Sequence, residues 1–317
     1  MKRRKFITKT AISGLALSTL GIYNFNSVLA QTEKLIFKET DKLFFKLSLA
    51  QWSLHRTLFA KKMDNLDFVA KSKSLGFEGV EYVNSFFKDK AKNISYLKEM
   101  NSRAAFEGVK NVLIMIDGEG NLAETDTKVR LESIEKHYKW VEAAHFLGCH
   151  AIRVNLGGGI NKEEAIKASV DSLNKLSDFA KGSNINILVE NHGGFSSNGD
   201  WMTKVFSQVK NKNTGTLPDF GNFCIERKEG KCINEYDRYK GMEQLLVFAK
   251  AVSAKSNIFD AQGNEKNIDY YRIMKMVKES GYNGFVGVEF EGSSDIPEEK
   301  GIELTKNLLI KVGKQLS

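Results

Sequence analysis

The sequence predicts an α/β fold of the (β/α)8 TIM barrel type, formed as a single domain. Three observations predict it: eight short apolar runs, amphipathic stretches between them, and a repeated junction at which a helix ends on glycine before a strand begins. Helices that alternate with near-continuous apolar strands indicate parallel pairing through right-handed crossovers. Eight such units over about 270 residues match the usual size of this barrel.

The eight predicted strands are short apolar or β-branched runs, bounded by glycine or polar residues. In chain order they read FKLSLAQWS, GVEYVN, VKNVLIMID, CHAIRVNLG, INILVENHG, GTLPDFGNF, KAVSAKS and GFVGVEFEG.

The predicted helices are clearest in residues 127–147 and 163–180, where apolar residues recur three and four positions apart. The junctions SLGFEGVEY, FLGCHAIRVN and ESGYNGFVGVEFEG each place a glycine where a left-handed helix C-cap is expected. A doubly wound open sheet is the competing fold. The first strand, however, lacks the GxGxxG turn typical of that fold, and NLGGGINK follows the fourth strand.

Residues 1–30 predict an export signal. Five basic residues and no acidic one occur among the first nine, an apolar stretch follows, and Val28-Leu29-Ala30 offers a cleavage site. The run RRKFITK resembles a twin-arginine signal, so we expect a periplasmic protein that crosses the membrane already folded. A non-cleaved anchor is the alternative, but the apolar stretch is shorter than the ~20 residues of a spanning helix. After signal removal we expect no stable membrane span.

The charge balance argues against a nucleic-acid partner. The formal net charge is +8, but five of the 47 basic residues and none of the 39 acidic residues lie in the signal, which leaves +3 for the rest. So small an excess does not indicate nucleic-acid binding.

The chain has three cysteines. Cys224 and Cys232 lie close together within CIERKEGKC and are expected to form a disulfide across a short loop in an oxidising compartment. Cys149 would then be buried and free. No spacing of cysteine and histidine suggests a zinc site.

Polar residues follow seven of the eight predicted strands. In this fold the active site is built at the carboxyl ends of the strands, so these side chains are expected to meet in one cavity. In strand order the residues are Gln51 and His55, Glu81 and Asn84, Arg153 and Asn155, Glu190 and His192, Asp219 and Asn222, Ser253 and Lys255, and Glu289 and Glu291.

Three carboxylates among these residues predict a metal site. Glu190, Asp219 and Glu289 end the fifth, sixth and eighth strands, and in a closed barrel they should face one volume. Like charges that close cannot all stay ionised without a counter-charge. One divalent ion is the usual solution: Mg²⁺ or Mn²⁺ with oxygen ligands, or Co²⁺ or Zn²⁺ when an imidazole is added.

The motifs LVENHGG, LPDFGNF, VSAKSNIFD and GVEFEG resemble those of the xylose isomerase-like barrels, which include sugar phosphate isomerases/epimerases and ketose 3-epimerases. The resemblance covers residues 31–317. It implies one divalent metal bound by a Glu, an Asp, a His and a Glu from the last four strands. Glu190, Asp219 and Glu289 match three of these ligands, but Ser253 stands in the place of the histidine.

The serine leaves two arrangements open. Either water completes the shell of a metal held by three carboxylates, or the metal is absent. Ser253 and Lys255 are two residues apart on one strand and share a face, so the Lys255 ammonium would neutralise the carboxylates in place of the metal or beside it.

The resemblance also implies a chemistry. A carboxylate removes the proton α to a sugar carbonyl, and the metal stabilises the enediolate. Glu190 and Glu289 would be the base and the acid. The residues expected to bind the substrate are Trp52, His55, Glu81, Arg153, Asn155, His192, Asn222 and Lys255.

Three of the aromatic and acidic residues have competing interpretations. Trp52 or Trp201 would stack on the sugar, although Trp52 also fits a packed aromatic at the barrel mouth. Glu81 and Glu291 also fit ion-paired residues of the rim.

The sequence thus predicts a periplasmic sugar isomerase or epimerase whose partner is a small-molecule carbohydrate. The alternatives are a lyase or hydrolase that cleaves 3-keto-glycosides by the same proton abstraction, and a non-catalytic carbohydrate-binding barrel. An endonuclease relative is disfavoured by the few histidines and the small positive charge. The sequence leaves open whether the protein forms a homo-oligomer.

Overall fold

Eight parallel strands surround the centre of the protein in the computed structural model, which describes residues 42–317. The predicted signal, residues 1–30, lies outside the described residues. Ten strands are present among the described residues: β1 (Lys46–Ala50), β2 (Gly79–Val83), β3 (Lys110–Met115), β4 (Ala151–Val154), β5 (Asn186–Glu190), β6 (Thr214–Leu217), β7 (Cys224–Lys228), β8 (Lys231–Glu235), β9 (Val252–Ser256) and β10 (Phe285–Phe290).

The barrel strands pair in the order β6-β5-β4-β3-β2-β1-β10-β9, and every pairing is parallel. Isolated parallel bridges, Thr216 with Ala249 and Asp219 with Ser253, join β6 to the β9 side and close the ring. The Ser253 amide donates to the Pro218 carbonyl at 3.0 Å within this closure. The predicted (β/α)8 barrel is confirmed.

Nine α-helices surround the barrel among residues 42–317. They span His55–Phe59, Phe68–Ser74, Ile94–Glu107, Thr127–Leu147, Lys162–Lys181, Gly199–Phe206, Arg238–Leu246, Tyr270–Glu279 and Glu298–Leu316.

Local sequence explains where these helices begin and end. Six of them begin at an Asn or Asp whose side chain accepts a hydrogen bond from a first-turn amide. Gly148 has φ +70° and ends the helix Thr127–Leu147 in the left-handed conformation. Gly76 and Gly281, in the two other predicted junctions, also have positive φ.

The barrel has two separate apolar clusters. The larger lies between the outer faces of the strands and the helices and includes Ile187, Val189 and Trp140. The smaller lies among inward-facing strand residues and includes Leu113 and Leu188. Because side chains alternate along a strand, Leu188 and Glu190 both face the interior, and Glu190 lies nearer the carboxyl end. The carboxylates are therefore placed above an apolar floor.

Strands β7 and β8 form an antiparallel hairpin that is separate from the barrel sheet. The sequence predicted only a short loop here. The missed signal is Glu229-Gly230, whose φ values of +50° and +77° form the two-residue turn typical of hairpins. Cys224 and Cys232 form the predicted disulfide across the hairpin, with Cα atoms 5.8 Å apart, and Cys149 is free and buried.

Across the described residues, no helix combines the length and the apolar character that crossing a bilayer requires.

The disulfide yields a stability prediction. The double variant Cys224→Ser, Cys232→Ser should lose roughly 2 kcal/mol of unfolding free energy, because the bridge no longer restricts the unfolded chain over a short loop. Urea denaturation of both proteins measures the loss. Reductant should lower the stability of the wild type and leave the double variant unchanged; equal stability of the two oxidised proteins contradicts the prediction.

Candidate active site

Three buried carboxylates meet at the carboxyl ends of β5, β6 and β10. Glu190, Asp219 and Glu289 each offer an oxygen atom, and these atoms all lie within 4.8 Å of one another. None of the three residues is more than 3% exposed. The predicted convergence of these side chains is therefore present in the structure.

Hydrogen bonds from the backbone fix the Asp219 carboxylate. Its Oδ1 accepts from the amides of Gly221 and Asn222, each at 2.8 Å. Asn191 joins the ends of β5 and β6, since its side chain donates to the Asp219 carbonyl and accepts from the Asp219 amide. These bonds leave Oδ2 of Asp219 directed toward Ser253.

Ser253 lies between two of the carboxylates. Its Oγ is 2.8 Å from Oδ2 of Asp219 and 2.8 Å from Oε2 of Glu289. A hydroxyl group has one proton, so it donates to only one of these oxygens at a time. Without a cation, its contact with the other carboxyl group is a hydrogen bond only if that carboxyl group is protonated and donates to the Ser253 oxygen.

Arg153 on β4 is the counter-charge of Glu190. Its Nε lies 2.8 Å from Oε2 of Glu190, and its Nη1 donates to Oδ1 of Asp117 at 2.7 Å. The Nε contact is an ion pair without hydrogen-bond alignment, since neither atom has a hydrogen-bond partner in the described part of the chain. Asn222 donates to the other Glu190 oxygen at 3.1 Å, so both oxygens of this carboxylate are held.

Lys255 on β9 is the second buried cation. Its Nζ lies 2.9 Å from Oε2 of Glu291 and 3.4 Å from Oε1 of Glu289. Ser253 and Lys255 thus both face the carboxylates, as their spacing predicted. Burial disfavours the ammonium, but the charges of Glu289 and Asp219 outweigh it and raise the pKa of Lys255 well above its usual value.

Two cations do not neutralise this group of carboxylates. Burial raises the pKa of Glu190 to about 7, against the lowering effect of Arg153. Burial likewise raises the pKa of Asp219 to about 7, although Lys255 lowers it. Both groups are therefore poorly stabilised as anions by the protein alone.

The donor set fits a divalent cation. Glu190, Asp219 and Glu289 supply carboxylate oxygens, the ligands that hard cations prefer. The Ser253 hydroxyl adds a further oxygen next to two of them. The surplus negative charge is what such an ion would neutralise.

The other predicted residues lie around this cluster at different depths. Asn155 donates to Oδ1 of Asp117 at 2.8 Å. His192 is exposed beyond the end of β5. Although much of its surface is open to water, the barrel mouth partly shields its ring, which lowers its pKa, and the charges of Arg153 and Lys255 lower it further.

Trp52 and Glu291 form one side of the rim. Trp52 lies close to Glu291, which is paired with Lys255. The interpretation of Glu291 as an ion-paired rim residue is confirmed. His55 lies farther out: its ring stacks on Trp52 with centroids 4.9 Å apart, and its Nδ1 is 3.8 Å from Glu298.

Glu81 lies inside the barrel, and its interpretation as a rim residue is wrong. It is 1% exposed, and Ser48 donates to its Oε1 at 2.6 Å. Burial raises its pKa to about 8, and the negative charges of Glu289 and Glu190 act in the same direction. A Cβ atom at Gly287 would lie 2.6 Å from both carboxyl oxygens, so the glycine makes the space for this acid.

Trp201 does not face a sugar site, which corrects the second stacking prediction. It is 0% exposed in the helix Gly199–Phe206, and its Nε1 donates to the Lys162 carbonyl at 3.1 Å. The apolar pattern of the helix buries this ring.

Asp117, which follows β3, is the site residue that sequence reasoning missed. It accepts from Arg153 and Asn155, and the charge of Arg153 outweighs burial and lowers its pKa. Asn84 holds its backbone through two hydrogen bonds of 2.9 Å, as Asn191 holds Asp219. The sequence signal was the apolar run VLIMID, which ends on an acidic residue in the same way as LVE ends on Glu190 and LPD on Asp219.

The family model described as xylose isomerase-like TIM barrel matches residues 69–311. The chain belongs to this family. The resemblance inferred from the four motifs is thereby confirmed.

Solved structures of similar fold include the following three. A D-tagatose 3-epimerase-like protein has a TM-score of 0.65 at 19% identity, covering 86% of this chain and 100% of its own. A 3-keto-D-glucoside 4-epimerase from E. coli has a TM-score of 0.61 at 13% sequence identity, and the match covers 84% of this chain and 99% of the epimerase. A xylose isomerase-like TIM barrel protein from Mycobacterium smegmatis in complex with magnesium has a TM-score of 0.62 at 15% sequence identity. The match covers 86% of this chain and 98% of that protein. No curated protein sequence matched this chain.

Glu81 gives a prediction of pH dependence. Its pKa is higher in the folded protein than in the unfolded chain, so its contribution to stability is present at low pH and is lost as pH rises through about 8. In Glu81→Gln the side chain cannot ionise. Between pH 6 and pH 9 the wild type should therefore lose on the order of a few kcal/mol more unfolding free energy than the variant.

Urea denaturation at several pH values, with chelator in every sample, measures the difference. Glu190 and Asp219 are present in both proteins, so the difference between the two curves reports mainly on Glu81. Parallel curves for wild type and Glu81→Gln would show that Glu81 does not titrate as the structure indicates.

Proposed function

We propose that this protein is a metal-dependent sugar isomerase or epimerase that removes a proton next to a sugar carbonyl. The observation that carries the proposal is the buried cluster of Glu190, Asp219 and Glu289 at the barrel mouth of a xylose isomerase-like TIM barrel protein. Two proteins of similar fold, the D-tagatose 3-epimerase-like protein and the 3-keto-D-glucoside 4-epimerase, support a carbohydrate substrate.

The proposed metal is Mg²⁺ or Mn²⁺, held by Glu190, Asp219 and Glu289. An all-oxygen donor set with Ser253 in the place of an imidazole favours these ions over Co²⁺ and Zn²⁺. The magnesium complex of the Mycobacterium smegmatis protein is consistent with this choice. When bound, the ion polarises the substrate carbonyl and stabilises the negative charge that develops on the adjacent oxygens.

Lys255 does not replace this ion in our proposal. Its ammonium is shared between Glu291, at 2.9 Å, and Glu289, at 3.4 Å, so it is not the counter-charge of the three carboxylates alone. Its remaining charge leaves the pKa of Asp219 at about 7. We infer that Lys255 orients Glu289 and assists the metal.

Glu190 and Glu289 are the proposed base and acid. Around the closed ring, β6 and β9 lie between β5 and β10, and we propose that the two carboxylates approach one bound sugar from different sides. An epimerase needs this arrangement, because it removes a proton from one face and returns one to the other. Arg153 and Asn222 fix both oxygens of Glu190, and burial makes it a stronger base than an exposed carboxylate.

The rim residues would position the sugar. Asn155, His192 and Trp52 surround the carboxylates with hydrogen-bonding groups and one aromatic face. We propose that they orient the hydroxyl groups, with Asp117 keeping Arg153 and Asn155 in place.

We further propose that the protein acts in the periplasm. The disulfide between Cys224 and Cys232 supports this location, since disulfides persist in oxidising compartments and are rare in the cytosol.

Metal binding is tested with Asp219→Asn. The amide keeps the Oδ1 contacts to the Gly221 and Asn222 amides but removes the charge. Because replacing an outer-shell residue typically costs 10–100-fold in affinity, losing a ligand should weaken Mg²⁺ or Mn²⁺ binding by more than ~100-fold.

Calorimetric titration of metal-free protein measures the affinity, and Glu279→Gln, at an exposed acid on the helix Tyr270–Glu279, should bind as the wild type does. A wild type that binds no divalent ion at millimolar concentration would rule out the metal and leave Lys255 as the cation of the site.

The proton abstraction is tested by exchange in heavy water. The wild type should exchange the carbon-bound proton α to the carbonyl in D-fructose, D-tagatose or a methyl 3-keto-D-glucoside, followed by NMR. Glu289→Gln should lower the rate by about 10²–10⁴-fold, the usual contribution of a general acid or base. Sugar binding without exchange by the wild type would instead indicate a carbohydrate-binding barrel.

A further inference from the structure

A cleft opens beside the carboxylate cluster at the ends of β4 and β5. Its volume is about 420 Å³, within the range of small-molecule sites. Two glycine runs, residues 157–159 and 193–194, line it together with the side chains of Leu156, His192, Phe195 and Ile225. We call it the glycine cleft.

The glycine cleft adjoins the candidate active site at the ends of three neighbouring strands. Leu156 directly follows Asn155, which bonds to Asp117. Gly193 lies three residues after Glu190. Ile225 lies three residues after Asn222, which donates to Glu190. The same loops thus form both spaces, and we infer that one ligand can contact the carboxylates and reach the cleft.

The chemistry of the glycine cleft differs from that of the carboxylate cluster. None of its lining residues is Asp, Glu, Lys or Arg. Leu156, Phe195 and Ile225 present apolar surface, and the glycines present bare main chain. Such a lining suits a neutral ring with an apolar face and offers no counter-charge to a phosphate or carboxylate group.

The backbone keeps the glycine cleft open. Gly193 and Gly194 have φ of +90° and +57°, conformations that other residues rarely adopt. A Cβ atom added at either position would meet no atom within 4 Å. Side chains are therefore absent at two positions where the surrounding space would admit them, and this absence leaves the cleft open.

The hairpin of β7 and β8 fixes the third wall. Ile225 follows Cys224, which is bonded to Cys232, and the Tyr236 amide donates to the Phe223 carbonyl at 2.9 Å at the base of the hairpin. The position of Ile225 is thus restrained by the adjacent disulfide and by the hydrogen bond at the base of the hairpin.

We propose that the glycine cleft binds the aglycone of a keto-glycoside, the neutral group joined to the reacting sugar through its glycosidic oxygen. The inference rests on the proposed function, which it deepens by naming the substrate class. The sugar bearing the carbonyl occupies the carboxylate cluster, and the apolar face of the aglycone packs on Ile225 and Phe195. A free monosaccharide leaves the cleft without a ligand.

The test compares methyl and phenyl 3-keto-D-glucosides, in α and β forms, on wild type, Ile225→Ala and Ile233→Ala. Calorimetry gives the affinities, and α-proton exchange in heavy water is followed by NMR on the same samples. Ile233 lies on the other strand of the same hairpin and is 55% exposed, so its variant is the matched control.

The wild type should bind one phenyl glycoside at least tenfold more tightly than its methyl counterpart. Ile225→Ala should lower that ratio by about tenfold, since even a single methylene contact changes discrimination by 10-fold or more. Ile225→Leu should retain most of the preference, and Ile233→Ala should keep the wild-type ratio.

An unchanged ratio in Ile225→Ala, a wild type without preference for the phenyl group, or no binding of either glycoside overturns the inference. If ketoses exchange their α-proton while the aglycone has no effect, only the cleft assignment fails. If the preference depends on Ile225 but no sugar exchanges a proton, the cleft assignment stands and the proposed function fails.

Discussion

The burial of three carboxylates in one small volume is the constraint on which the rest of this site depends. Removing such groups from water disfavours their charge, and their mutual repulsion adds to the cost. The surrounding residues each offset part of it: Arg153 pairs with Glu190, Lys255 with Glu289, and Ser253 bridges Asp219 and Glu289. These contacts leave the pKa of Glu190 and Asp219 at about 7, so the protein alone does not stabilise the charged cluster fully. A bound divalent cation would neutralise the remaining negative charge. Because Ser253 stands where an imidazole would add a nitrogen, all the donor atoms for this cation are oxygens.

The loops after β4, β5 and β6 connect this polar cluster to an apolar neighbour. Each loop contains a residue that binds or supports a carboxylate and reaches the glycine cleft within the next three residues. The barrel supplies rigid strand ends, while glycine runs and a disulfide-bonded hairpin shape the space beside them. Chemistry and substrate selection would therefore depend on different parts of the same three loops. This fold permits such an arrangement because its loops differ in sequence and length between proteins while its strands keep one geometry.

Much of the fold and the centre of the site were predictable from local patterns. The strand runs, the helix periodicity and the glycines at positive φ placed the barrel units, and the strand-end acids marked Glu190, Asp219 and Glu289. The errors arise where the decisive contact is distant in sequence. Glu81 resembled a rim residue because its strand also ends in polar groups, but its partner Ser48 and the space left by Gly287 lie on other strands. Trp201 resembled a sugar platform, yet the carbonyl that accepts its N–H belongs to Lys162. Asp117 was overlooked because its role depends on Arg153, thirty-six positions away.

The sequence by itself determined the period of each element, where helices begin and end, and which strand ends carry acids, because these depend on residues a few positions apart. Only the tertiary structure decided which of those acids share a volume, how deeply each is buried, and which cation neutralises it. Those properties depend on strand register and on closure of the ring between β6 and β9, where Asp219 meets Ser253. The glycine cleft is a tertiary property for the same reason, since its walls come from three separate loops that only the closed barrel brings together.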